Sequence, residues 1–384
     1  MVELKIPLSA PDITEAEIKA VVDVLKTPQL SLGPKLPEFE RLIAKYIGVK
    51  HAIAVNSGTS ALHLIVRSLG ILEGDEVVTT PFSFIASANC ILFERAKPVF
   101  VDIDPNTLNI DVSSIPSTPR LSSGLRASQH LVSSKTKAIL AVDLFGLPAD
   151  WPKLQQIAKK HNLRLIEDSC EALGSELNSQ KAGTFADAAC FAFYPNKQIT
   201  TGEGGVIVTD DDEIAGLCRS MRNQGRQDNG GWLQHQRLGY NYRLSDINCA
   251  LGIVQMKRIT EILVKRDKVA AMYNERLKDV QGLKLLSSPS GTRRSWFVYV
   301  VILEDGYSQS DRDNILQKLQ AKGIGCSDYF SPIHLQPFYA ALGYKKGDFP
   351  VTEKIAQRTI ALPFFNNLTE KQVDFVVSAL KPLL

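Results

Sequence analysis

Between residues 51 and 209, short runs of β-branched and apolar residues alternate with segments of helical periodicity, and this alternation limits what the chain can fold into. The runs are AIAV near 52, DEVVTT at 75, PVFVDI at 98, AILAVD at 138 and LRLIED at 163, with helical segments such as SALHLIVRSLG and WPKLQQIAKKH between them. A pattern that switches between periods of 2 and 3.6 marks βαβ units. Strands joined in that way lie parallel with helices on both faces, so an α/β fold with a mostly parallel, doubly covered sheet is predicted. In such sheets ligands sit beyond the carboxyl ends of the strands. Residues 56–59, 81–84 and Asp168, just after three of the runs, are where chemistry is expected.

Two amphipathic helices, ITEAEIKAVVDVLK and LPEFERLIAKYIG, precede the alternating region, the second stopped by Gly48. From Ser245 to about Val280 the spacing is helical again, and RSWFVYVVIL with a further helix–strand set points to a smaller second domain. A chain of 384 residues allows two to three domains at roughly 150 residues each. The boundary is placed near 265, giving a large domain over 1–265 and a small one over 266–384. The serine-rich stretch SSIPSTPRLSSGLRASQHLVSSKTK lacks periodicity and is expected to be a surface loop without assigned function.

Apolar residues at 44% and charged residues at 22% exclude a disordered or low-complexity chain. The net charge of +3 is too small to argue for nucleic acid as a partner. No stretch approaches the roughly 18 apolar residues that span a bilayer, and MVELKIPLSAPDITEAEIKAVV has charge and proline where a signal peptide needs an apolar run. A cytoplasmic location without membrane contact is expected. The cysteines Cys90, Cys170, Cys190, Cys218, Cys249 and Cys326 lie far apart, with no C-x-x-C pair and no His/Cys cluster at ligand spacing, so free thiols and no metal are expected.

Three segments carry candidate chemistry. VNSGTSALHL is a strand followed by small and hydroxyl residues that open a helix, where unpaired N–H groups and the helix dipole favour a phosphate. Serine and threonine are also ordinary N-caps, so this motif alone does not decide. In LIEDSCEALGS an apolar strand delivers Glu167 and Asp168 to its carboxyl end, where a carboxylate serves a ligand, a helix cap or a neighbouring base. CFAFYPNKQITTGEGGVIVTDD runs from an apolar strand into Lys197 and a glycine-rich turn. A lone lysine is usually solvated. One that follows a buried run is a candidate for a desolvated, reactive amine. The glycines Gly202, Gly204 and Gly205 do not form a dinucleotide turn, because GEGG leads into the strand VIVT instead of a helix, and no P-loop pattern occurs. An anion cradle, an acid on a strand end and a lysine after a later strand together fit pyridoxal 5′-phosphate. The amine would form a Schiff base with its aldehyde, the helix start would hold its phosphate, and the acid would keep the pyridine nitrogen protonated so that the ring accepts electrons.

The motifs resemble those of the DegT/StrS aminotransferases. The resemblance runs from IPLSAPDITEAEI and LSLGPKLPEFE through VNSGTSALHL, GDEVVTTPFSFIASAN, EDSCEALGS, FYPNKQITTGEGG and LGYNYRLSDINCALG to IHLQPFY and ALPFFNNLTEKQVDFVV. It implies a fold type I pyridoxal-phosphate transferase: a mostly parallel seven-stranded sheet between helices, with a smaller C-terminal α+β domain. It also implies transfer of an amino group, with glutamate as the expected donor, to a keto group of a nucleotide-linked sugar.

Carried over position by position, the resemblance places the Schiff-base lysine on Lys197 and the acid of the pyridine nitrogen on Asp168, in agreement with the residues' own reading. Thr59 and Ser60 match phosphate-binding positions. Phe84 matches the aromatic that lies on the ring, an ordinary core aromatic being the alternative. Asn241 of GYNYR matches the residue that reaches the partner subunit's phosphate in a homodimer with shared sites. Tyr194, Arg243, Tyr329 and His334 are the substrate-side candidates, with Tyr240 bordering the same cleft. A simple salt bridge is an equal reading for Arg243, and a structural histidine for His334.

Two positions depart from the pattern. Ala192 stands where many relatives carry serine, and Glu171 where glutamine often touches the ring's phenolic oxygen, so a protonated or averted Glu171 is expected. KQITTGEGG resembles relatives that aminate C4 of the sugar, which favours C4 over C3. A cyclitol ketone of the inosose type is the main alternative substrate. Relatives that dehydrate a keto-sugar carry histidine at the position of Lys197, which speaks against a dehydratase, and a purely regulatory cofactor-binding protein has no need of the Lys197/Asp168 pair.

Overall fold

The computed structural model describes residues 5–115, 132–227 and 233–384. Most of the serine-rich loop expected near 113–137 therefore lies outside the described residues. In chain order the helices α1 (Glu15–Leu25) and α2 (Lys35–Ile47) lead into strand β1 (His51–Val55), helix α3 (Gly58–Ser68), β2 (Glu76–Thr79), α4 (Ala86–Phe93), β3 (Lys97–Phe100), β4 (Thr136–Val142), α5 (Trp151–His161) and β5 (Arg164–Asp168). Two short strands, β6 (Glu176–Leu177) and β7 (Gln180–Lys181), precede β8 (Ala188–Ala192), β9 (Gly205–Thr209), α6 (Asp212–Arg222), α7 (Asp246–Lys257) and α8 (Ile259–Leu277). The remainder is β10 (Leu283–Leu285), β11 (Thr292–Arg293), β12 (Tyr299–Leu303), α9 (Gln309–Ala321), α10 (Pro337–Ala340), α11 (Pro350–Ala356), β13 (Thr359–Leu362) and α12 (Glu370–Leu380).

The central sheet has seven strands in the order β1-β9-β8-β5-β4-β2-β3. Only β9 is reversed, pairing antiparallel with both β1 and β8, while the other neighbours are parallel. The expected α/β architecture is thus observed. Period-2 alternation explains its two buried faces. On β4, Ala138, Leu140 and Val142 enter one apolar cluster, and Ile139 and Ala141 enter another on the opposite side. Helix ends follow local chemistry. Gly48 closes α2 in the left-handed conformation at φ 94°, and Ser57 caps α3 through a 3.1 Å bond from the Ser60 N–H to its hydroxyl.

A second, antiparallel sheet, β10-β12-β13, packs with α8, α9 and α12 around Tyr273, Tyr299, Leu319, Ile360 and Val376. Residue 265, where the sequence places the domain boundary, falls inside α8. The N-terminal Ile6 joins this second core by pairing with Ile324. Among the described residues no helix is long and apolar enough to cross a membrane.

Candidate active site

Because β1, β2, β5 and β8 point the same way, their carboxyl ends share one edge of the sheet, and each is followed by a segment singled out in the sequence. β5 ends in two acids that face opposite sides, as successive strand residues must. Asp168, 4% exposed, accepts a 2.6 Å bond from the Ser87 hydroxyl on Oδ2 and a 3.2 Å bond from the Cys170 N–H on Oδ1. Glu167 is fully buried on the other side, where it accepts from the Phe185 N–H at 3.0 Å and shares the Ser169 hydroxyl with Asp143. Burial pushes the Glu167 carboxyl well above its ordinary range, and the neighbouring Asp143 adds to the rise. This second pair braces the loop after β4, since Asp143 also accepts from the Ala149 N–H and the Trp151 indole, each at 2.9 Å.

Lys197 follows β8 by five residues and retains 13% of its side-chain exposure. Its Nζ sits 3.8 Å from Glu171 Oε1 and 3.8 Å from the centroid of the Phe297 ring. Glu171 is anchored through its other oxygen by the Phe145 N–H at 2.9 Å. Burial pushes the Glu171 carboxyl up to about 7, with the nearby Lys197 amine opposing and Asp168 reinforcing the rise. The carboxyl faces the lysine, and burial favours its protonated form over what it would be in water. Tyr329 joins the same cluster, its ring 6.3 Å from Phe297 and 6.4 Å from Phe145. Burial, reinforced by Glu171, pushes its hydroxyl up to about 12.

The helix that opens with Gly58 spends its early N–H groups unequally. Ser57 takes those of Ser60 and Ala61, on its hydroxyl and its carbonyl, which leaves the amides of Gly58 and Thr59 without intrahelical partners. Thr59 is half-buried and Ser60 is 8% exposed, with its hydroxyl 2.9 Å from that of Ser57. Space behind this turn is tight. A Cβ on Gly205 would lie 2.5 Å from the Ser57 carbonyl, and one on Gly58 would lie 2.8 Å from Ala192 Cβ and 2.9 Å from Cys170 Sγ. The methyl of Ala192, where many relatives are expected to carry a serine hydroxyl, packs directly behind Gly58.

Phe84, 60% exposed, and Tyr194, 53% exposed, stand at the rim. Asn241 is exposed on a segment that pairs along the end of β1, where Val55 bridges Arg243 and the Asn56 N–H bonds the Tyr242 carbonyl at 2.9 Å. Arg243 donates to Asn223 Oδ1 at 3.0 Å, and among the described residues no carboxylate lies within ion-pair distance of it. His334 is not brought to this group. It is fully buried, with Nε2 3.0 Å from Glu353 Oε1 and its ring against Phe349, so it reads as a packed structural histidine.

Sequence reasoning missed Ser87, Phe297 and a thiol pair. Ser87, in the first turn of α4, lies four residues after Ser83, the two hydroxyls 2.9 Å apart, but no spacing aimed it at Asp168. Phe297 reads as a core residue of an apolar run. Cys170 and Cys190, twenty positions apart, have their sulfurs 3.5 Å apart because β8 pairs with β5 at Asp168 and Cys190.

Comparison with known proteins follows this geometry. A model of the DegT/DnrJ/EryC1/StrS aminotransferase family matches residues 11–381. The chain is 37% identical over 382 residues to GDP-perosamine synthase of Caulobacter vibrioides, covering 99% of this chain and 98% of that protein. Among solved structures, Helicobacter pylori PseC, an aminotransferase involved in the biosynthesis of pseudoaminic acid, superposes with a TM-score of 0.91 at 31% identity over 98% of each chain. The PLP-form of the putative sugar aminotransferase Spr1654 from Streptococcus pneumoniae gives 0.90 at 29% identity over 98% of each.

Proposed function

The chain belongs to the DegT/DnrJ/EryC1/StrS aminotransferase family and depends on pyridoxal phosphate, and from that premise we propose that it moves an amino group from glutamate to a keto carbon of a nucleotide-linked deoxysugar, C4 in preference to C3. The observation that carries the reading is the meeting of the Lys197 amine, the Asp168 carboxylate and the N-terminus of α3 at one edge of the sheet. The likeness to GDP-perosamine synthase and to PseC supports a sugar substrate. A homodimer with shared sites and a cytoplasmic location complete the proposal, the latter supported by six free cysteines.

The residues fit the cofactor. A buried carboxylate held by Ser87 suits a pyridinium, two unspent amides with two hydroxyls suit a phosphate, and a mostly buried amine suits an aldehyde. Bound pyridoxal phosphate supplies an electron sink for the carbon that loses its proton. Asp168 would keep the proton on the ring nitrogen, and the Ser87 hydroxyl fixes the carboxylate for that task. Gly58, Thr59 and Ser60 would hold the phosphate at the start of α3, and in a homodimer the exposed Asn241 would reach the neighbouring subunit's phosphate. The exposed Phe84 would cover one face of the ring. With the cofactor bound, the Nζ of Lys197 would carry the proton from the donor's α-carbon to the cofactor's C4′ and, in the second half of the transfer, from C4′ to the sugar carbon that receives the amino group. Glu171, at 3.8 Å, stabilises the amine when it is charged and, when protonated, spares the phenolic oxygen a like charge. Tyr194, Arg243 and Tyr329 border the substrate, Arg243 offering two donors to a diphosphate.

Borohydride reduction of the loaded protein followed by peptide mapping should leave the cofactor's mass on the peptide that carries Lys197. Incubation with glutamate and a nucleotide-linked 4-keto sugar should yield 2-oxoglutarate and a 4-amino sugar. Amination of an inosose in place of the nucleotide sugar would overturn the substrate assignment, and a label away from Lys197 would overturn the site.

A further inference from the structure

Beside the Asp168 carboxylate the fold assembles a set of soft donors that aminotransfer does not use. Cys170 Sγ and Cys190 Sγ are 3.5 Å apart, Cys190 Sγ is 3.7 Å from Asp168 Oδ1, and all three donor atoms lie within 4.8 Å of one another. A tetrahedral ion bonded to sulfur at about 2.3 Å and to oxygen at about 2.1 Å spaces two sulfurs by about 3.8 Å and sulfur from oxygen by about 3.6 Å. Two edges of such a site are thus already within a few tenths of an ångström of the required lengths. We propose that Asp168, Cys170 and Cys190 form a site for a thiophilic divalent cation, zinc or cadmium, in the cofactor-free chain.

The scaffold supports the geometry. Asp168 and Cys190 are register partners on adjacent parallel strands, and Cys170 is tied to Asp168 through its own N–H, so the donors are held by backbone. Cys170 is partly buried and Cys190 fully buried. Binding replaces two S–H protons by two S–metal bonds and uses the existing carboxylate charge, so two protons leave for each ion and no oxidant is involved. The fourth position of a tetrahedral ion is left for a water ligand. An ion there occupies Asp168 Oδ1 and leaves only Oδ2, already bonded to Ser87, for another partner. Antagonism to pyridoxal phosphate follows, and this consequence rests on the reading that Asp168 serves the pyridine nitrogen.

The test uses the full-length chain, stripped of cofactor and reduced, titrated with cadmium alone while ultraviolet sulfur-to-metal charge transfer and proton release are recorded. One ion per chain and two protons per ion are expected. Cys170→Ser and Cys190→Ser should each weaken binding at least tenfold, and Cys218→Ser should leave it unchanged. Thermal unfolding of each variant shows whether it is folded. No charge-transfer band in the parent chain, or a band that survives both substitutions, overturns the site. Pyridoxal phosphate is then added to the metal-loaded chain, and loading is followed by its visible absorbance. Slowed loading supports the antagonism. Unimpeded loading with the ion retained overturns the antagonism, while the metal site stands.

Discussion

Glu171 shows what a single position contributes and how little of it the sequence displays. The sequence marks it as a departure and raises the question of its charge. The answer depends on a burial of 3% exposure, the Phe145 N–H and the Lys197 amine, which come from three different segments. Its ordinary value of 4.5 rises to about 7, so the unfolded chain loses this proton first and the folded chain holds it longer. Across that window the folded state binds more protons, and its stability falls as pH rises, by about 1.4 kcal/mol per unit and about 3 kcal/mol at most. Glu171→Gln should remove this slope in the cofactor-free protein, as read from urea unfolding between pH 4.5 and 7, and an unchanged slope would refute the raised carboxyl. Lys197→Ala should abolish turnover while cofactor absorbance is still acquired on mixing. Ser87→Ala deletes a 2.6 Å bond to a buried carboxylate, worth about 1.5–3 kcal/mol, and should weaken cofactor binding by roughly tenfold or more in a fluorescence titration.

At the scale of elements, periodicity carried most of the information. The five runs quoted first correspond to β1 to β5, CFAF and VIVT to β8 and β9, and the helices expected on either side of β1 are α2 and α3. The reversal of β9 was not readable, because an apolar run buried on both faces looks the same in either direction. That reversal matters to the site. It brings Gly205, the first residue of β9, against the Ser57 carbonyl at the start of α3. Gly205→Ala puts a Cβ 2.5 Å from that carbonyl and 2.7 Å from the Gly58 nitrogen, both rigid backbone atoms. The turn must then shift, and a loss of cofactor affinity of tenfold or more is expected from the same titration. Wild-type affinity in that variant would show that the turn does not hold the phosphate.

At the scale of the whole molecule, Ile18, Val22 and Leu25 on α1, Phe84 and Tyr194 at the rim, and Asn241 beside β1 are all exposed, and the proposed homodimer is tested through its mass and its shared sites. Sedimentation should give a mass near twice that of one chain. Mixing the inactive Lys197→Ala protein with Asn241→Ala should restore activity, because each mixed dimer regains one intact site. With random exchange and a silent Asn241→Ala parent the recovery is about a quarter of wild type. No recovery after verified exchange would show that each subunit builds its site alone.

The sequence by itself determined the α/β class, the edge of the sheet where chemistry gathers, and the lysine, acid and helix start that meet there, because strand and helix periods and the residues at strand ends are local properties of the chain. Tertiary structure alone decided that His334 packs in the interior on Glu353, that Glu171 faces Lys197 across 3.8 Å, that Phe297 lies under the amine, and that two cysteines twenty positions apart bring their sulfurs together. Those outcomes turn on which distant segments share a desolvated space, and distance, burial and protonation exist only once the chain has closed around them.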